Sequence, residues 1–132
     1  MTGAALLLLA ASGAASSPVE LPPVDLSVVR LSARLEQLDG RDVRVRGWLA
    51  CGDRGCALRA RPHGGRDVVA IGVAANDAMA PSLSDAAGHE VVIEGRATAA
   101  CRHEVCTDAA PALMPARIVR IFGAPGATAK DR

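Results

Sequence analysis

Aromatic side chains are scarce in this sequence, which has one tryptophan, one phenylalanine and no tyrosine among 132 residues. Proteins that bind single-stranded nucleic acid stack successive bases on aromatic rings, so the scarcity argues against that class. The formal net charge is only +1, from 15 basic and 14 acidic residues. Bulk electrostatic attraction to a phosphate backbone is therefore weak, and we expect no nucleic-acid partner.

Long hydrophobic runs are also missing, since a membrane-spanning helix takes about 20 apolar residues. Ala4–Ala11 is an apolar run of eight, and Gly13 and Ala15 follow it in the small-x-small pattern of a signal-peptidase site. The first three residues carry no Lys or Arg, which departs from the usual signal peptide. We predict a signal peptide over residues 1–15 and a periplasmic or secreted protein without a membrane span. An ordinary apolar N-terminus is the alternative.

The remaining length allows one domain. Residues 16–25 are rich in proline and are predicted to form an extended leader. Residues 123–132 are small and polar, which is typical of a disordered tail. The domain is therefore expected over residues 26–122.

Two short helices are predicted within this domain. Apolar residues recur at helical spacing in Leu26–Leu38, and Ser27 is placed to cap that helix. A second helix fits within Asn76–Gly88, with Pro81 in its first turn and Gly88 at its C-terminal end.

Five strands are predicted from runs of alternating or continuous apolar residues. Their ranges are Asp42–Leu49, Ala57–Arg61, Val68–Ala74, Glu90–Thr98 and Ala116–Phe122. Ala109–Pro115 contains two prolines and is expected to be a loop. The pattern Val-x-Val-x-Gly ending at Gly47 is echoed by Val-x-Ile-x-Gly ending at Gly95, which two strands that each bend at a glycine would explain.

Three segments resemble small exported OB-fold proteins of Gram-negative bacteria. They are Leu38–Leu49 (LDGRDVRVRGWL), Gly88–Gly95 (GHEVVIEG) and Ile118–Ile121 (IVRI), and the resemblance covers roughly residues 30–122. It implies an all-β domain, a five-stranded Greek-key OB-fold barrel with a short helix between strands three and four and a short N-terminal helix. The family brings no catalytic residue, so the function that the resemblance implies is that of a binding module.

Four cysteines form two pairs with C-x4-C spacing, Cys51 with Cys56 and Cys101 with Cys106. In a small exported domain this number favours two disulfides. Turn-type residues between Cys51 and Cys56 would set these two cysteines opposite each other across a hairpin, at a Cα separation that a disulfide accepts. Local pairing, Cys51–Cys56 and Cys101–Cys106, is favoured among the three possible connectivities.

A zinc site is the alternative use of the cysteines. Four thiolates, or Cys101, His103 and Cys106 with His63 or His89, supply the ligand types of a tetrahedral site. An oxidising compartment favours disulfides instead, so we predict no metal and no cofactor. The sequence has no C-x-x-C redox motif, no glycine-rich phosphate loop and no evident group to orient a catalytic histidine. We therefore predict that the protein is not an enzyme.

Arginines are concentrated in the first half of the domain. Residues 24–66 carry nine basic and five acidic residues, whereas residues 67–132 carry six basic and eight acidic residues. Because side chains alternate between the faces of a strand, arginines from the first two predicted strands are expected to share one outer surface. The predicted ligand-binding residues are Arg44, Arg46, Trp48, Arg54, Arg59 and Arg61.

These arginines indicate the class of ligand. Guanidinium groups match the geometry of carboxylate and phosphate. We predict a non-enzymatic binding module for an anionic small molecule, an oligosaccharide or a protein partner. The alternative is a disulfide-stapled scaffold whose arginines are only solvated.

Overall fold

The computed structural model describes residues 21–63, 65, 67–103 and 111–123, in which six strands and four short helices are found. The strands are β1 Val24–Ser27, β2 Asp42–Gly52, β3 Gly55–Arg59, β4 Ala70–Val73, β5 Glu90–Ala97 and β6 Pro111–Ile121. The helices are α1 Val28–Ala33, α2 Leu35–Leu38, α3 Ala80–Ala86 and α4 Ala100–His103. The predicted signal peptide over residues 1–15, leader residues 16–20, Cys106 and tail residues 124–132 lie outside the described residues.

All six strands belong to one sheet, in the order β1-β2-β3-β4-β6-β5, and β2 pairs in addition with β5. The pairings β1–β2 and β4–β6 are parallel, and the others are antiparallel. One edge of β2 pairs with β5 along Asp42–Trp48, and the other edge pairs first with β1 and then with β3. The described part of the chain is thus mostly β, as predicted, with one more strand than expected.

The core lies on one face of β2 and β5, because apolar residues alternate with polar ones along both strands. Val43, Val45 and Ile93 are fully buried there. The short helices close over this face with further buried side chains, which are Val28 and Leu31 from α1 and Leu83 and Ala86 from α3. Burial of each large apolar side chain contributes about 1.5–3 kcal/mol. The opposite face of β2 and β5 carries charged residues together with Trp48 and Val92.

The N-terminal helix begins later than predicted. Val24–Ser27 forms β1 parallel to β2, and the helical part is divided into Val28–Ala33 and Leu35–Leu38. β3 ends at Arg59 and therefore leaves the adjoining edge of β2 without a hydrogen-bonding partner. The backbone of β1 pairs with that edge and satisfies its N–H and C=O groups. Ser27 caps α1 as predicted, since its Oγ accepts a hydrogen bond from the Arg30 backbone N–H at 3.1 Å.

The predicted loop over Ala109–Pro115 is wrong from Pro111 onward, because β6 begins at that residue. Proline is tolerated as the first residue of a strand and at a bulge. Pro111 is the first residue of β6, and Pro115 lies opposite Gly95, where the register between β5 and β6 shifts. Neither proline therefore interrupts the pairing.

The other predicted elements each overlap an observed one. The predicted helix within Asn76–Gly88 is the shorter helix α3, with Pro81 in its first turn. Gly88 follows the end of α3 with a φ of +92°, a conformation that favours glycine. None of the helices in the described ranges has the length and apolar character needed to cross a membrane.

Candidate functional site

A disulfide closes the hairpin formed by β2 and β3. Cys51 and Cys56 are directly opposed in the register, and their sulfur atoms are bonded, with a Cα–Cα distance of 4.0 Å. Gly52 and Gly55 also pair, so the turn consists of Asp53 and Arg54 alone and is shorter than the four residues expected from the sequence. The predicted Cys51–Cys56 bridge is present. It stabilises the end of the hairpin that carries Arg54.

The disulfide lies on the inner side of the hairpin. Cys51 and Cys56 are half-buried and pack against the apolar core. The Cys51 sulfur lies 3.8 Å from the Leu83 carbonyl oxygen of α3. The bridge therefore packs on the core side of the hairpin, and Cys51 also reaches the cleft that Trp48 and Arg59 line.

The second predicted bridge is only partly within the described residues. Cys101, in α4, is disulfide-bonded. Cys106 lies outside the described residues. Its pairing with Cys101 therefore stays a prediction.

The disulfide argues against the zinc alternative. Two sulfur atoms that are bonded to each other are not thiolates, so Cys51 and Cys56 in this state offer no zinc ligands. Within residues 21–63, 65, 67–103 and 111–123, no three His, Cys, Asp or Glu side chains are grouped so that they could hold a metal ion.

Arg44 and Arg46, both predicted ligand-binding residues, are engaged in ion pairs on the outer face of β2. The Nε of Arg44 donates a hydrogen bond to Glu94 Oε1 at 2.9 Å. The Nε and Nη2 of Arg46 donate to the two carboxylate oxygens of Glu90, at 2.8 and 3.3 Å. Hydrogen bonds from Arg44 and Arg117 lower the pKa of Glu94, and the hydrogen bond to Glu90 raises the pKa of Arg46.

The expected side-by-side arrangement of the arginines from the first two predicted strands is not found, because Arg59 lies on the outer face with Arg44 and Arg46 but not beside them. The expectation assumed that β3 runs alongside the whole of β2. Instead β3 ends at Arg59, which pairs with Trp48. The part of β2 that carries Arg44 and Arg46 faces β5, whose outward carboxylates neutralise both arginines.

Trp48 and Arg59 form the part of the predicted site that the structure brings together. They are directly opposed on β2 and β3, and both are half-buried. They line an open cleft of about 350 Å³, whose other wall is the chain just after α3, at Ala87 and Gly88. The Gly88 backbone N–H donates to the Leu49 carbonyl at 2.7 Å, which fixes that wall against β2.

The charge on Arg59 is not neutralised by the described part of the chain. No acidic side chain described by the structure forms an ion pair with Arg59. Its neighbours on the outer face are Trp48 across the β2–β3 pair, Ala57 on its own strand and Ala70 opposite it on β4. Arg59 is thus half-buried, with Trp48 on the side of β2 and small residues on the side of β4, and it lines the cleft.

The two other predicted arginines lie outside this cleft. Arg54 is exposed in the hairpin turn, and Arg61 is exposed two residues beyond the end of β3. Neither forms an ion pair with any acidic residue in the described ranges. They add positive charge around the hairpin without lining the cleft.

Phe122 is a functional candidate that the sequence reasoning missed. Its ring centroid lies 4.2 Å from the guanidinium carbon of Arg46 and 4.5 Å from that of Arg120. Its backbone N–H donates to the Glu90 carbonyl at 2.8 Å. The scarcity of aromatic residues could have marked Phe122 as a candidate, since it is one of two in the chain. Its proximity to Arg46 follows only from the order of β2, β5 and β6 in the sheet.

Comparison of the chain with protein-family models, with curated proteins and with solved structures finds no match.

Proposed function

We propose that this chain is a non-enzymatic, exported OB-fold binding module that takes a carboxylate-bearing ligand in the cleft between Trp48 and Arg59. The order of strand pairing supports the fold assignment. The strands β2, β3, β4, β6 and β5 pair in succession, and β5 pairs again with β2, with α3 between β4 and β5. This pairing order supports a five-stranded OB barrel, to which β1 would add an extra edge strand.

Arg59 carries the proposal. It is the one arginine of the predicted set that both lines the cleft and lacks an ion-pair partner in the described part of the chain. A guanidinium group binds carboxylate through two parallel, charge-assisted hydrogen bonds. Partial burial strengthens such bonds, because fewer water molecules screen them.

Trp48 indicates which chemical group of the ligand lies next to the carboxylate. An indole ring offers a broad apolar surface with one polar edge, which suits a ligand that has both an apolar and a polar face. A sugar acid has this character, since its C–H face packs on an aromatic ring while its carboxylate meets the guanidinium. The described residues lining the cleft supply no nucleophile paired with a general base, and Cys51 is held in the disulfide. This composition supports binding rather than catalysis.

The tryptophan also supplies the assay, because Trp48 is the only tryptophan in the sequence. Titration with tetragalacturonate is expected to change its fluorescence saturably, and the affinity is expected to fall with added salt. A neutral galactose tetrasaccharide is expected to produce no such change at the same concentrations. Arg59→Gln is expected to weaken tetragalacturonate binding about tenfold or more, which is the loss of a charge-assisted hydrogen-bonded contact.

Arg96→Gln is the matched control. Arg96 is an exposed arginine on β5 whose Nε lies 3.7 Å from Asp42 Oδ1, and it does not line the cleft. Its loss removes the same charge and should leave the affinity unchanged. Equal weakening by both variants, or equal binding of the acidic and neutral sugars, would contradict the proposal. No response to either sugar would favour the disulfide-stapled scaffold without a ligand site.

A further inference from the structure

Both aromatic side chains of the sequence lie in one row of cross-strand neighbours. Trp48 on β2 is opposed by Arg59 on β3 at one side and by Glu90 on β5 at the other. Phe122 directly follows β6 and donates its backbone N–H to the Glu90 carbonyl. The row Arg59–Trp48–Glu90–Phe122 therefore runs across the sheet from β3 to the end of β6.

The members of this row face outward together. In β2 the residues Val43, Val45 and Leu49 are buried, so Trp48 shares the outer face with Arg46. The guanidinium of Arg46 is bonded to the Glu90 carboxylate and also stacks on the Phe122 ring. The ring is consequently on the same outer face as Trp48.

The charges along the row are arranged with cationic ends and a neutral centre. Arg59 lies at one end, and Arg120 lies beside the other end, two residues before Phe122 on β6, with its guanidinium carbon 4.5 Å from the Phe122 ring centroid. Neither arginine is ion-paired with an acidic residue that the structure describes. Between them, Arg46 and Glu90 neutralise each other. Such a surface complements a ligand that carries two carboxylates held apart.

We infer that the ligand of the proposed cleft is an acidic oligosaccharide about three sugar units long, bound across β3, β2, β5 and β6. This inference rests on the proposed function. Neighbouring strands are about 4.8 Å apart, so three strand spacings separate the ends of the row by roughly 14 Å. A single sugar acid is too short to reach both ends, whereas a trisaccharide of uronates places one carboxylate at Arg59 and another at Arg120. Phe122 acts as a positioning residue that orients Arg120.

The test is a chain-length series of mono-, di-, tri- and tetragalacturonate, followed by Trp48 fluorescence and by calorimetry. The trimer is expected to bind about tenfold or more tightly than the monomer, because only the longer ligand makes the second charge-assisted contact. The tetramer is expected to gain little beyond the trimer. Arg120→Gln is expected to abolish the gain from monomer to trimer.

Arg117→Gln is the matched control, since Arg117 is an exposed arginine on the same strand that is engaged with Glu94 instead of Phe122. It should preserve the gain with chain length. Triglutamate, which has carboxylates but no pyranose face, is expected to bind more weakly than the trisaccharide.

Three outcomes overturn the inference: equal affinity for monomer and trimer, equal weakening of all lengths by Arg120→Gln, or triglutamate binding as tightly as trigalacturonate. In the first two cases binding of the monomer at Arg59 still upholds the proposed function. Failure of every length to bind would reject the proposed function itself.

Discussion

Arg44 and Glu94 lie directly opposite each other on β2 and β5, joined by a hydrogen bond of 2.9 Å from Arg44 Nε to Glu94 Oε1. Arg117 of β6 donates to the same oxygen at 3.1 Å. One carboxylate thereby links three adjacent strands. The two guanidinium groups around Glu94 are part of the sheet's own charge network, which is why Arg44 is not placed in the proposed ligand site.

The Glu94 carboxylate should make stability depend on pH. Hydrogen bonds from Arg44 and Arg117 lower the pKa of Glu94 in the folded state. The stabilisation is therefore fully present above the ordinary pKa of glutamate, about 4.3, and is lost as the pH falls through the lower folded value. We expect wild type to have a higher urea midpoint than Glu94→Gln at pH 7, and the two midpoints to converge at strongly acidic pH.

Asp67→Asn is the control for that measurement, because Asp67 is exposed and makes no ion pair with any described residue. At pH 7 the urea midpoint of Asp67→Asn should differ less from that of wild type than the midpoint of Glu94→Gln does. A Glu94→Gln difference that stays constant from pH 7 to strongly acidic conditions would contradict the assigned role of Glu94.

The faces of β2 could be predicted from the sequence, but its neighbours could not. Alternation correctly places Val43 and Val45 in the core and Arg44 and Arg46 outside. The partner of Arg44 is 50 residues away in the chain, on a strand that reaches β2 through the topology of the sheet. No local pattern specifies that pairing, so the neutralisation of these arginines cannot be predicted from the sequence.

The Trp48–Arg59 contact, in contrast, follows from local spacing. Once Cys51 and Cys56 are opposed across a short turn, counting outward along both strands brings Trp48 opposite Arg59. The contact of Phe122 with Arg46 has no such local cause, because β5 lies between β2 and β6. The sequence therefore predicts one end of the proposed ligand row and not the other.

The glycines of the two echoed strand patterns are expected to be required for packing. A Cβ atom on Gly47 would lie 2.6 Å from Val28 Cγ2 and 3.0 Å from the Arg59 carbonyl oxygen. A Cβ atom on Gly95 would meet the backbone of Met114 and Pro115, which cannot move aside as a side chain can. We expect Gly47→Ala to lower the free energy of unfolding by about 1–3 kcal/mol, as overpacking does, and Gly95→Ala to lower it more.

Gly52→Ala is the control, since Gly52 is also in β2 but has no atom within 4 Å of the added Cβ. Urea unfolding monitored by circular dichroism gives the free energy of unfolding of each of the three variants. If Gly52→Ala proves as destabilising as Gly47→Ala, the cause is the loss of glycine from the strand and not the contact with Val28.

The cap of α1 should contribute measurably to stability. Ser27 Oγ accepts the Arg30 backbone N–H at 3.1 Å, and loss of such a cap costs about 1 kcal/mol. We expect Ser27→Ala to lower the free energy of unfolding by that amount and Ser27→Asp to restore it, because aspartate caps equally well. Equal losses in both variants would show that Ser27 matters through β1 pairing instead of capping.

The Cys51–Cys56 bridge is expected to stabilise the fold by about 2 kcal/mol, from the loop-closure entropy of a ring this short. The paired change Cys51→Ala and Cys56→Ala tests this without leaving a free thiol. Cys51 lines the cleft together with Trp48, but the two residues are on opposite faces of β2, so the Trp48 emission maximum in the folded double variant should match wild type. A shifted emission maximum at native conditions would show that the bridge also sets the outer cleft.

The same double variant tests how the other two cysteines pair. With local connectivity, oxidised wild-type protein weighs about 4 Da less than its reduced form, and the double variant about 2 Da less, one pair of hydrogens for each bond. Cys51 is bonded to Cys56, and Cys101 is also disulfide-bonded. The bridge of Cys101 should therefore survive removal of the Cys51–Cys56 bridge. A double variant with no mass difference on reduction, or one that forms disulfide-linked dimers, would contradict the Cys101–Cys106 pairing. Once Cys51 and Cys56 are alanine, Cys101 and Cys106 are the two cysteines left in the sequence, so a disulfide within the chain can form only between them.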